Sequence, residues 1–181
     1  MFEFAEWLGS TPLSVAIQSR LWLTPLLQTI HITMIGIVFV SMLNVTLRVL
    51  GYLRADEPLV AVWRRFAPWF WWALAVMAAT GLVLAIGEPV RQVTALSFWL
   101  KMSLLAIGVT SALVFGRAVR AAATANAANA ANAANAADAD RVASAGARVV
   151  AVATILLWVA IIFLGRWIAY DVEIWESWHL A

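Results

Sequence analysis

The chain has 181 residues, 64% of them hydrophobic and 12% charged, with a net charge of +2 and no cysteine. A mean hydropathy of +0.88 moves it out of the soluble-enzyme class and into the membrane class. The basic residues fall singly or in pairs and form no patch for nucleic acid. The missing cysteines exclude disulfides, thiolate catalysis, iron–sulfur clusters and cysteine-held zinc.

Residues 2–18, FEFAEWLGSTPLSVAIQ, carry Glu3 and Glu6 where a cleavable signal peptide needs a basic region. They read instead as two short interfacial helices separated by a turn at Ser10–Pro12. Four apolar stretches follow, about 22–47, 68–86, 93–115 and 149–169. Each is close to the ~20 residues that a helix needs to cross a ~30 Å hydrocarbon layer. Trp22, Trp63, Trp69, Trp71, Trp72, Trp99 and Trp167 stand near their ends, as an aromatic belt does, whereas Trp158 is mid-span and reads as a packing residue. Between the third and fourth spans lies a low-complexity linker, residues 121–140, with asparagine at 126, 129, 132 and 135. The tail, residues 170–181, mixes Trp175 and Trp178 with three acids and His179. The predicted fold is all-α: one integral membrane domain over 1–181, built as a transmembrane four-helix bundle with short interfacial N-terminal helices.

Arginine placement gives an orientation. Arg48, Arg54, Arg64, Arg65, Arg117, Arg120, Arg141 and Arg148 fall on one side, and Arg20, Arg91 and Arg166 on the other. The positive-inside rule makes the richer side cytoplasmic and puts both termini outside.

Two ionisable residues interrupt the apolar spans. His31 sits nine residues after Trp22 in LLQTIHITMIG, and Lys101, the only lysine, sits eight residues after Val93 in LSFWLKMSLL. Spans one and three run in the same direction, so both lie at similar depth, ~12 Å from the outer end at ~1.5 Å per residue. Lys101 can snorkel to headgroups, and a lone histidine is often a hydrogen-bonded core residue. Two such groups at one level point instead to a polar pocket inside the bundle. Gln28 and Thr24 precede His31 by one and two turns, Met34 follows it by one, and Ser97 is one turn before Lys101. Glu88 and Arg91, in IGEPVRQ, stand in the short outer loop above. No Ser-His-Asp order, phosphate loop or catalytic carboxylate pair is present.

These residues carry a resemblance. The histidine with its H-I-x(7)-V context, LRVLGYLR at the inner end of the same span and WLKMSLL in the third are similar to a superfamily of small four-helix bacterial membrane proteins. That superfamily includes the oxygen-independent protoporphyrinogen oxidases and the D-type copper-resistance proteins. The opening LGSTPLSVAIQSRLWLTPLLQTIHI is closer to an uncharacterised bacterial family of this build. The outer N-terminal segment, the Ala-Asn linker and the Trp-rich tail depart from the oxidases. The resemblance implies a multi-pass protein of the bacterial inner membrane with periplasmic termini, and a haem b-binding redox or electron-transfer role.

Under that reading neutral His31 is an axial iron ligand. The sixth position stays open between vacancy and Met34, Met102, Lys101 or His179. Lys101, Arg91 and Arg166 are the candidate partners of the propionates, with Gln28 beside the histidine. Two histidines exclude a two-haem ladder, so electrons exchange with the outer side, through quinone or a periplasmic electron-transfer protein. Copper is the alternative, on His31, His179 and Met34 with Met102 near; few methionines and a neighbouring lysine count against it. A cofactor-free accessory subunit, in a homo-oligomer or a larger membrane complex, is the third reading.

Overall fold

The computed structural model of the protein describes residues 2–129 and 145–170. Over these residues the chain is all-α. Its helices are α1 (Phe2–Gly9), α2 (Pro12–Gln18), α3 (Leu23–Leu50), α4 (Leu59–Gly87), α5 (Pro89–Thr94), α6 (Leu96–Asn129) and α7 (Ala145–Trp167), closed by a 3-10 turn at Ile168–Tyr170. Four of them, α3, α4, α6 and α7, are long and apolar enough to cross a membrane. Their exposed side chains include Trp72, Leu82, Ile107, Leu156 and Phe163, an apolar surface consistent with contact with lipid.

The helix boundaries follow local chemistry. Thr11 caps α2, its hydroxyl accepting from the Ser14 N–H at 3.4 Å, with Pro12 at the first helical position. α3 stops at Gly51, whose φ of 81° lets the Tyr52 N–H turn back to the Leu47 carbonyl at 3.0 Å and the Gly51 N–H to that of Arg48 at 3.1 Å. α4 starts at Leu59, nine residues before the span start read at Pro68; Pro58 ends the loop, and Pro68 is carried inside the helix. Val93 belongs to the separate short helix α5, because extended Ala95 (ψ 118°) breaks the chain before α6. Alanine propensity carries α6 through the first part of the Ala-Asn segment to Asn129. The rest of that linker and the tail from 171, His179 included, lie outside the described residues.

Contacts group the chain into two compact units. Over the described residues the first comprises 2–36, Trp72–Leu105 and 159–170. It therefore holds α1, α2 and α5 with the N-terminal parts of α3 and α6 and the C-terminal parts of α4 and α7. Ser14, fully buried on α2, donates to the Ile86 carbonyl at 2.8 Å and accepts from Gln18 at 2.9 Å. Ile17 packs on Gly87, and Gly9 on Pro89. The two N-terminal helices are thus pinned to the end of α4 and to α5.

The second unit comprises Ile37–Trp71 and Ala106–Trp158. Its packing is aromatic. Trp63 is 3% exposed and seats its ring against Gly116 of α6, edge-on to Phe115 at 5.4 Å. It is a core residue with Val45, Val62 and Val119, not part of an interfacial belt. Trp69, Trp72, Trp22 and Trp99 are exposed. Trp158 packs edge-on to Phe70 at 5.7 Å, as a mid-span packing residue should.

Candidate functional site

A cavity of about 1160 Å³ lies within the first unit. Each of the four long helices gives it one stripe at helical spacing: Thr24, Gln28, His31 and Ile35 from α3; Leu74, Met77, Ala78, Gly81 and Ala85 from α4; Phe98, Lys101, Met102 and Leu105 from α6; Ile162, Gly165 and Arg166 from α7. Gln18 of α2 and Glu88 to Gln92 around α5 complete the wall. His31, Lys101, Gln28, Arg91 and Arg166, separated by up to 138 positions in the chain, therefore share one cavity. Met34 is not on its wall, and its place on the copper reading is taken by Met77 and Met102.

His31 is held by α4. Its Nδ1 lies 2.9 Å from Thr80 Oγ1. That hydroxyl has one proton, directed to the carbonyls of Val76 at 2.9 Å and Met77 at 3.1 Å. When the Thr80 proton is on one of these carbonyls, its oxygen accepts from the imidazole and Nδ1 carries the proton in the neutral ring. Nε2 is then the nitrogen with a free lone pair. Gly81, next to Thr80, clears space for the ring: a Cβ there would stand 3.1 Å from His31 Cε1.

Lys101 is received in the same way by α7. Its Cε and Nζ lie 3.6 Å from where a Gly165 Cβ would be. Among the described residues no hydrogen bond or ion pair ends on its ammonium. Arg91 pairs with Glu88 at the wall, and Arg166 is exposed beside Gly165.

The wall is thus apolar for most of its extent, with an oriented imidazole, an unpaired ammonium and two guanidiniums. Such a cavity suits a flat or extended apolar ligand that carries negative charge. Among the described residues no group of three or more His, Cys, Asp or Glu forms a protein-only metal centre.

Thr80, Gly81 and Gly165 carry as much of the site as the ionisable groups. Their only sequence signal is weak: a threonine and two glycines inside spans, where small and hydroxylic residues also serve ordinary helix packing.

The profile of a family described as "Family of unknown function (DUF6644)" matches residues 21–171. No curated protein and no solved structure matches the chain.

Proposed function

The chain belongs to the family of unknown function DUF6644, and on that premise we propose that it is a haem b-binding redox protein of the bacterial inner membrane, with its pocket toward the periplasmic side. The observation that carries this reading is the His31–Thr80 pair. With Nδ1 donating to Thr80 the ring is held in place and Nε2 is left unprotonated, so His31 would be the residue that holds the iron. The residues present fit the group. The cavity, at about 1160 Å³, exceeds the ~300–1,000 Å³ of ordinary ligand pockets. Lys101 and Arg166 on its wall are suited to bind two carboxylates, with Arg91 beside them already paired to Glu88. When bound, haem supplies one-electron chemistry.

The protein's own part is to orient His31, to hold the carboxylates and to surround the ring with apolar side chains such as Leu74, Phe98 and Ile162. The arginine asymmetry supports the placement of both termini in the periplasm. Exchange with a membrane quinone or a periplasmic electron-transfer protein fits a pocket at one end of the spans.

The test is an absorption spectrum of the detergent-purified protein, oxidised and dithionite-reduced, beside His31→Ala. A Soret band that shifts on reduction and is lost in the variant is the expected result. A colourless protein from haem-replete cells overturns the reading. Metal analysis of that sample then separates copper, on His31 with Met77 and Met102, from a cofactor-free accessory subunit.

A further inference from the structure

The loop between α3 and α4 holds a second polar cluster, in the second unit and independent of the cavity. Arg48, in the last turn of α3, is only 7% exposed. Its Nε donates to the Glu57 carbonyl at 2.6 Å, and among the described residues its two Nη atoms have no partner. Arg54 Nη1 and Arg65 Nη2 each stand 3.0 Å from an oxygen of the Glu57 carboxylate. Arg54 lies over the Phe66 ring at 5.6 Å, its Nε is buried without an acceptor, and its φ is 54°.

Each of these features is unfavourable alone. A non-glycine residue in the left-handed region is strained, a buried guanidinium donor without an acceptor loses its hydration, and two cations on one carboxylate with a third on the same residue's carbonyl repel. They occur together at the shared end of two membrane spans. The common remedy is an external anion.

We infer that this cluster seats a phosphate group, the phosphodiester of an anionic phospholipid at headgroup level. The Arg54 and Arg65 guanidiniums share the Glu57 carboxylate and Arg48 meets only that residue's backbone carbonyl, which leaves two positive charges unmatched among these four side chains. The forked Nη edge of Arg48 matches two phosphate oxygens, and it is the edge that lacks a partner. Glu57 spaces Arg54 and Arg65 and limits the site to a single anion. Exposed Tyr52 and Leu53 on the same loop offer the apolar contact a lipid would use and a free phosphate would not.

The full-length protein in nanodiscs of mixed phosphatidylglycerol and phosphatidylcholine tests this, with retained lipid counted by native mass spectrometry. Preferential retention of phosphatidylglycerol is expected. Arg65→Gln, at a half-exposed side chain of the cluster, should lower it about tenfold, the factor for losing one hydrogen bond to a charged phosphate. Arg48→Lys keeps the charge and loses the fork, and should lower it as well. Arg117→Gln, an exposed arginine of α6 outside the cluster, should leave it unchanged. Displacement of the lipid by inorganic phosphate, dependent on Arg65, supports the phosphate site with a soluble source. Equal retention of both lipids, or an equal loss in Arg117→Gln and Arg65→Gln, overturns the proposal.

Discussion

His31 of α3 and Thr80 of α4 are joined across 2.9 Å by a hydrogen bond between Nδ1 and Oγ1. The Thr80 hydroxyl also reaches the Val76 carbonyl at 2.9 Å; with its proton there, Nδ1 donates and Nε2 is the free imidazole nitrogen. Thr80→Val keeps the shape and removes the acceptor. On the proposed haem reading, the expected outcome is haem affinity lower by about 10- to 100-fold, the usual cost of losing the group that orients a metal-ligating histidine. Thr80→Ser should restore most of it. Haem titration of the apoprotein, followed at the Soret band, measures both.

Lys101 sets stability against binding. Its ammonium lies in an apolar span without a counter-charge among the described residues. Lys101→Met removes a group that costs roughly 2.5–3.5 kcal/mol near a span centre. The ligand-free variant should therefore melt at higher temperature than the parent while binding an anionic ligand more weakly. Thermal melts with and without haem check the two directions together. A variant that melts lower without ligand would show that Lys101 has a structural partner.

Three glycines should rank by the room beside them. An added Cβ at Gly116 would come within 2.5 Å of Trp63 Cζ2, at Gly81 within 3.1 Å of His31 Cε1, and at Gly165 no nearer than 3.6 Å to Lys101. Gly116→Ala should be the most destabilising, in the range of about 1–3 kcal/mol typical of overpacking. Gly81→Ala should act mainly on haem affinity through the displaced ring, and Gly165→Ala should be close to neutral. Melting temperatures and haem titrations of the three variants give the order.

Glu57 gives a pH dependence outside the spans. Hydrogen bonds from Arg54 first and then Arg65 hold its carboxyl below the ordinary value of 4.5. A carboxyl with a lowered folded-state pKa adds stability that is fully present above its unfolded value and is lost as pH falls through the lower folded value. The parent and Glu57→Gln should therefore differ in melting temperature at neutral pH and converge as the pH drops below about 4.5, the unfolded value. Melts of both proteins from neutral to acid pH measure it. A gap that stays constant with pH would show that the charge of Glu57 contributes nothing.

The legibility of the chain divides along physical lines. Hydropathy runs long enough for lipid located the four spans, because a bilayer demands length and apolarity whatever the packing partners. Ser10–Pro12 fell at the turn between α1 and α2 because an N-cap threonine with proline after it is a purely local device. Helix ends were less legible. α4 begins at Leu59 and not at Pro68, since proline is tolerated inside a long apolar helix when neighbours support it. Trp63 read as an interfacial ring and is a core residue, because only the notch at Gly116 of another helix makes room for it.

By itself, the sequence determined that this is an all-α chain with four membrane-competent helices and that His31, Lys101, Gln28, Arg91 and Arg166 are its chemically unusual positions. Lone charges in apolar runs are visible without coordinates, because their cost is set by the solvent. Only the tertiary structure decided that these five share one cavity, that Thr80 orients the imidazole, that Gly81 and Gly165 open space for the two side chains, and that Arg48 is buried beside Glu57. Those facts depend on which helix faces meet, and facing is a property of packed pairs that no single segment encodes.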